Sequence, residues 1–66
     1  MLKTEIRTLR LAKGMDQAEL AALVGVRRET IGRLEKGQYN PSLKLAMDIA
    51  NVFDRTVEEV FSFQEE

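Results

Sequence analysis

Hydrophobic residues recur along the chain about every three or four positions, and short polar stretches with glycine or proline separate the segments. This spacing places apolar side chains on one face of an α-helix. The breaks between segments fall at Gly14, Gly25, Gly37 and Pro41. The pattern predicts helices over residues 4–13, 17–24, 28–36, 43–53 and 57–61. We therefore expect an all-α fold, a compact five-helix bundle with tight connections.

The predicted helix starts carry capping signals. Asp16 precedes the second segment with Glu19 three residues later, and Thr56 and Glu59 repeat this spacing before the fifth. Such a pair forms a capping box, in which each side chain accepts a backbone N–H of the other residue. Ser42 is the expected N-cap of the fourth segment. The residues expected on its inner face are Leu43, Ala46, Ile49, Ala50 and Phe53.

The end of the chain has a different pattern. Phe61 and Phe63 alternate with polar residues, and this two-residue spacing predicts a short strand, beside which Leu2 would form a small two-stranded piece. Four short helices offer too little surface to cover every apolar side chain here. We therefore expect residues 53–64 to form a dimerisation segment. The residues expected in its interface are Val57, Val60, Phe61 and Phe63.

Composition narrows the possible functions. The 66 residues are enough for one domain, expected over 1–66, and they include no cysteine and no histidine. This excludes a disulfide and argues against a zinc site or a histidine-based catalytic centre. The sequence also lacks a plausible pair of nucleophile and base. We therefore expect that the protein is not an enzyme and that it binds neither a metal nor a cofactor. The sequence has no membrane-length apolar run and no signal-like start, so a cytoplasmic protein is expected.

Charge is unevenly distributed, although the formal net charge is only −1. Residues 1–38 carry eight basic and five acidic side chains, whereas residues 39–66 carry two basic and six acidic ones. The first part therefore has a formal charge of +3 and the second of −4. A basic front half and an acidic back half suit a protein that presents one face to phosphate.

The second and third segments have the features of two helices that pack closely across a tight turn. Ala21 is small enough for close approach, and Gly25 permits the backbone conformation of the turn. Apolar residues follow where the helices would touch, at Val26, Ile31 and Leu34. The outer face of the third segment is polar and long enough to reach base edges in the DNA major groove. The expected base-reading residues are Arg27, Arg28, Glu29, Thr30 and Arg33.

Several short sequence motifs, in their order and spacing, resemble those of the phage-repressor and Cro-like helix-turn-helix family, also called the xenobiotic-response-element family. The resemblance extends over about residues 4–61 and places the helix-turn-helix at about 17–36. The matching motifs are Gln17-Ala18-Glu19-Leu20-Ala21, Val24-Gly25-Val26, Thr30-Ile31, Leu34-Glu35-Lys36-Gly37 and Asn40-Pro41-Ser42-Leu43.

The resemblance implies a lambda-repressor-like fold whose third helix enters the major groove. It implies that Arg10 and Glu35 form a structural ion pair between the first and third helices. It also implies phosphate contacts from the second helix and from the loop after the third. The residues concerned are Gln17, Lys36, Gln38, Tyr39 and Asn40.

Some positions depart from the family pattern or allow two interpretations. Arg27 stands where a small N-cap residue is usual, so backbone donors are expected to stay free there. Gly32 lies within a predicted helix, where it either allows close approach to DNA or is neutral. Glu29 could accept from cytosine or pair with Arg33, and Thr30 could contact DNA or face its own helix.

The sequence as a whole predicts a sequence-specific regulator of transcription, expected to act as a repressor. Its expected partners are double-stranded DNA and a second copy of the chain, bound as a homodimer to a two-fold operator. An antitoxin or a controller protein of a gene pair is an alternative within the same class. A protein-interaction module that kept the fold without binding DNA is the alternative from another class.

Overall fold

The computed structural model describes residues 1–64, which form five helices and two short strands. This architecture confirms the predicted five-helix fold with a small two-stranded piece. The helices and strands, in chain order, are β1 (Leu2–Thr4), α1 (Ile6–Ala12), α2 (Gln17–Val24), α3 (Arg28–Glu35), α4 (Leu43–Val52), α5 (Val57–Val60) and β2 (Phe61–Phe63). No helix in this range is long and apolar enough to cross a membrane.

Side-chain caps fix where three of the helices begin, as the sequence predicted. The Asp16 carboxylate accepts the Glu19 backbone N–H at 2.8 Å, and the Thr56 hydroxyl accepts that of Glu59 at 3.2 Å. The Glu19 and Glu59 side chains accept the backbone N–H of Asp16 and Thr56 in return, which completes two capping boxes. The Ser42 hydroxyl accepts the Leu45 N–H at 3.1 Å. Each cap satisfies a backbone donor that the first turn leaves free.

The two ends of the chain pair as antiparallel strands, with Leu2 opposite Phe63 and Thr4 opposite Phe61. The pairing of Leu2 with the C-terminal strand is therefore confirmed. It also explains why α1 begins two residues later than predicted, since Leu2–Thr4 is extended and Glu5 donates to the Val60 carbonyl at 2.8 Å. The sheet holds the N-terminus against α5.

The core lies where α1–α5 meet. Arg10 is the one charged residue that the structure buries among residues 1–64. Leu43 was expected on the inner face of α4, but it is 72% exposed, and Leu45 is buried instead. Leu43 is the first residue of the helix and lies at the edge of its buried stripe. The buried hydrophobic residues are Leu2, Ile6, Leu20, Ala21, Ile31, Leu34, Leu45, Ala46, Ile49, Ala50, Phe53 and Val60.

The structure corrects one residue of the expected dimer interface. Val60 is 1% exposed and belongs to the core, because α5 packs on α4 and turns this side chain inward. Val57 and Phe61 are half-buried against the same core, whereas Phe63 is 67% exposed. The monomer therefore covers more of the C-terminal segment than we expected, and Val60 has no surface left to offer a partner.

Candidate nucleic-acid interface

The turn between α2 and α3 fixes the direction of α3. Gly25 ends α2 in the left-handed conformation, with φ 72° and ψ 33°, which glycine adopts without steric cost. The Val26 N–H donates to the Ala21 carbonyl at 3.0 Å and closes the turn. Ile31 and Leu34 of α3 are fully buried. One side of α3 is thus bound to the core, and the other side has to face solvent.

The solvent-facing side of α3 is polar and mostly basic. Because Ile31 and Leu34 face inward, the intervening positions of this short helix point away from the core. Thr30 is half-buried at the edge of this face, so it is less available than the residues around it. The exposed residues at and after the start of α3 are Arg27, Arg28, Glu29, Arg33 and Lys36.

Two local features leave this face free to meet a ligand. Arg27 occupies the N-cap of α3 without a side-chain hydrogen bond to the helix. No ion pair joins Glu29 to Arg33 among the described residues, although they are four positions apart. The charged groups at the start of α3 are therefore not tied up by their own helix.

A hydrogen-bonded network supports α3 from behind. Arg10 Nε donates to Glu35 Oε2 at 2.8 Å, and Arg10 Nη1 donates to the Met15 carbonyl at 2.9 Å. The side chains of Arg10 and Glu35 are only 10% and 7% exposed. The hydrogen bond to Glu35, helped by its negative charge, raises the pKa of Arg10 above its ordinary value despite burial. The two residues expected to form an ion pair are thus brought together, between α1 and the end of α3.

Gln17, at the start of α2, connects this network to the outer face. Its Nε2 donates to Glu35 Oε1 at 3.1 Å, and its Oε1 accepts from Arg28 Nη1 at 3.2 Å. A chain of side-chain hydrogen bonds therefore runs from Arg10 through Glu35 and Gln17 to Arg28. The sequence pattern indicated the ion pair, but nothing in the spacing indicated that Gln17 would join it to Arg28.

The same residues border a concave notch of about 390 Å³ on the outer face. Gly32 lies in it, one helical turn after Arg28 and one turn before Lys36. Expected base-reading and expected phosphate-contacting residues meet in this one place. The residues that line the notch are Gln17, Arg28, Glu29, Gly32, Arg33, Lys36 and Gln38.

The residues of the loop after α3 lie at two different surfaces. Gly37 turns the chain with φ 71°, and the Gln38 N–H donates to the Arg33 carbonyl at 2.9 Å, which keeps Gln38 beside the notch. Tyr39 is 42% exposed. Asn40 instead borders a separate groove, away from the notch. Of the four expected loop contacts, Lys36 and Gln38 line the notch, whereas Tyr39 and Asn40 do not.

The second groove is largely apolar and lies where the two chain ends meet α4 and α5. Its volume is about 310 Å³. Leu43 of α4 lines the groove and is 72% exposed. Helical spacing alone could not show this, because Leu43 lies at the edge of the buried stripe of α4. The residues that line the groove are Leu2, Asn40, Pro41, Leu43, Ala46, Val57, Phe61 and Phe63.

Comparison with protein families gives a match over nearly the whole described chain. A family model described as helix-turn-helix matches residues 6–60. An HTH-type transcriptional regulator of Archaeoglobus fulgidus is 57% identical over 65 residues, which cover 98% of this chain and 93% of that protein. The HTH-type transcriptional regulator YgzD of Bacillus subtilis is 42% identical, with 98% of each chain covered.

A solved structure with related sequence has a similar fold. The restriction-modification controller protein C.AhdI from Aeromonas hydrophila superposes with a TM-score of 0.74 at 41% sequence identity. The superposition covers 82% of each chain. The similarity therefore extends over most of both chains.

Proposed function

This chain belongs to the helix-turn-helix family of transcriptional regulators, and we propose that it binds double-stranded DNA sequence-specifically, with α3 in the major groove. The family is one of DNA-binding regulators and not of enzymes, and the function we propose includes no catalytic step. One observation carries the proposal: the exposed basic face of α3, held at a fixed angle by α2.

The size and charge of α3 fit a major groove. A B-DNA major groove is about 12 Å wide and accepts one α-helix, whose side chains then reach the base edges. Arg28 and Arg33 have the guanidinium forks that pair best with guanine O6 and N7. We assign base contacts chiefly to Arg33, and backbone contacts to Arg28, which donates to Gln17, and to Gln17, Lys36 and Gln38. Arg27, at the N-cap, can reach either.

We further propose that the protein acts as a homodimer on a two-fold operator. One half-site contact buries little surface, and small DNA-binding domains reach tight operator binding by pairing. The apolar groove beside Phe63 and Leu43 supports this, since both side chains are mostly exposed in the monomer. Val57 and Phe61 contribute the half-buried floor of that surface. Occupancy of a promoter by such a dimer would suffice for repression.

A second candidate function is that of a controller protein in a restriction–modification gene pair. The 41% identity with C.AhdI, a controller protein, favours it. Both candidates require sequence-specific DNA binding and differ in the genes that are regulated.

Selection from a pool of random duplexes, followed by footprinting, tests the proposal. We expect enrichment of one two-fold sequence and protection of two half-sites on the same face of the duplex, about one helical turn apart. An Arg28→Ala, Arg33→Ala double variant is the control and should enrich no sequence. If the parent chain also enriches none, the proposal of sequence-specific DNA binding is wrong, and the alternative of a protein-interaction module is favoured.

A further inference from the structure

Gly32 differs from the other glycines of the chain. Gly14, Gly25 and Gly37 have φ angles between 64° and 72°, where residues with a side chain are strained. Gly32 lies in the middle of α3, outside this left-handed region. The conformational freedom of glycine is therefore not needed at this position.

Packing does not require glycine at position 32 either. A Cβ atom placed there would lie 3.9 Å from Gln17 Nε2 and 4.0 Å from Gln17 Oε1, which is ordinary van der Waals contact. Glycine in a helix interior is less favourable for folding than alanine. The folded monomer thus has room for a Cβ atom at position 32 and would be more stable with alanine there. Neither backbone conformation nor packing within the monomer explains the glycine.

The surroundings of Gly32 indicate the chemistry of a ligand that would bind there. Arg28 and Lys36 lie one helical turn to either side, and Arg33 lies next to it. Glu29 is the one carboxylate among the residues that line the notch, so the lining has more positive than negative charges. Such a notch attracts an anion with several oxygen acceptors.

We propose that Gly32 is a close-approach position, and that the notch above it receives one phosphate group of the DNA backbone. This inference rests on the DNA-binding function proposed above and deepens it. The missing side chain lets the phosphate come within hydrogen-bonding distance of Arg28 and Lys36, since any side chain at position 32 would project between them. Arg28 donates to Gln17 through Nη1 and keeps other guanidinium donors for the phosphate.

The orientation of Arg28 supports this assignment. Glu35, itself held by Arg10, accepts from Gln17, and Gln17 accepts from Arg28. Arg28 is therefore already positioned at the edge of the notch before DNA binds. This lowers the cost in side-chain entropy of ordering it around a phosphate.

The proposal is tested with Gly32→Ala and Gly32→Leu, using the duplex that the parent chain selects and a scrambled duplex. We expect Tm to rise by about 4–8 °C for Gly32→Ala, because helix propensity improves in a domain of this size. We expect Gly32→Leu to bind both duplexes at least about tenfold more weakly, as for a lost charge-assisted hydrogen bond. The slope of log affinity against log salt should become shallower by about 0.9.

Asn51→Ala and Asn51→Leu are matched controls, because Asn51 is an exposed helix position in α4 that lines neither the notch nor the apolar groove. They should leave DNA affinity and the salt slope unchanged. Undiminished affinity of Gly32→Leu would refute the close-approach role. If Gly32→Leu loses affinity for the selected duplex alone, with an unchanged salt slope, the proposed phosphate contact is wrong. That result would show that the notch contacts a base edge instead. If the parent binds no duplex, the underlying function fails, and the inference fails with it.

Discussion

At the scale of single residues, Glu35 is a carboxylate that connects α3 to α1 and α2. Its two oxygens accept three side-chain hydrogen bonds, two from Arg10 and one from Gln17, and its side chain is only 7% exposed. A charged side chain with so little access to solvent is tolerable only while its partners remain in place. The helix that would contact DNA is therefore tied at its end to the first helix of the domain.

We predict that Glu35→Ala destabilises the protein by up to about 3–5 kcal/mol, because it leaves the guanidinium of Arg10 buried without its partner. Urea denaturation followed by circular dichroism measures this. Asp48→Ala is the matched control, since it breaks the exposed Lys44–Asp48 pair and should cost only about 0.3–0.5 kcal/mol. Equal midpoints for both variants would show that the Arg10–Glu35 pair contributes no more than a surface pair.

Arg33 and Lys36 should differ in how their loss affects DNA binding. We predict that Arg33→Ala costs about 1–3 kcal/mol on the selected duplex and relaxes the preference at one base pair, as expected for a guanine contact. Lys36→Ala should weaken binding to selected and scrambled duplexes equally, because backbone contacts carry no sequence information. Fluorescence anisotropy with both duplexes measures the two effects. A uniform loss for Arg33→Ala would assign that residue to the backbone.

At the scale of secondary-structure elements, α5 is the shortest helix, with only four residues, and depends most on contacts outside its own turn. Its capping box joins Thr56 and Glu59, and Glu59 also lies 3.7 Å from Arg55. Hydrogen bonds from the backbone and side chain of Thr56 lower the pKa of Glu59, with a smaller contribution from Arg55. A carboxyl whose pKa is lowered on folding stabilises the fold above its unfolded pKa. This contribution is lost as the pH falls through the folded pKa.

We predict that Thr56→Ala raises the pKa of Glu59 only part of the way toward its ordinary value, because alanine removes the hydroxyl but keeps the backbone N–H that lowers this pKa most. The acid sensitivity that this group confers should fall by the same part. Loss of the N-cap itself should cost about 0.5–2 kcal/mol. An NMR titration of the Glu59 side chain measures the first effect, and urea denaturation measures the second. Glu58→Gln is the control, because Glu58 lies in the same turn outside the capping box. An unchanged Glu59 titration in Thr56→Ala would show that the hydroxyl contributes nothing to this pKa and that the backbone N–H alone lowers it.

At the scale of the whole molecule, two surfaces of different chemistry are separate. The basic notch lies between α2 and α3, whereas the apolar groove lies where the two strands meet α4 and α5. A homodimer formed through the groove would leave both notches free. Two recognition helices on successive major grooves would then lie about 34 Å apart.

We predict that the parent chain is a dimer at tens of micromolar and that Phe63→Lys makes it monomeric. The substitution places a charge on a side chain that is 67% exposed in the monomer, so the fold should tolerate it. Sedimentation equilibrium measures the association. Leu23→Lys is the matched control, since Leu23 is 62% exposed but does not line the groove. If the parent chain stays monomeric, or if the Phe63→Lys variant stays dimeric, the apolar groove is not the dimer interface.

The sequence by itself determined the local structure. Caps at Asp16, Ser42 and Thr56 and the turn at Gly25 act between residues close in the chain, so their spacing was enough to place the helices. The phenylalanine alternation likewise predicted the strand that pairs with Leu2. The expected contacts of the α3 residues with DNA, in contrast, stay predictions.

Tertiary structure decided which side chains remain available. Val60 and Leu43 are both apolar and both looked internal or interfacial by spacing, yet one is 1% and the other 72% exposed. The difference depends on how α5 and the first turn of α4 pack against other elements, and periodicity within one helix carries no such information. The hydrogen bonds that join Arg10, Glu35, Gln17 and Arg28 depend on three helices meeting at one point. Burial and long-range contact are properties of the assembled fold, and only the fold could decide them.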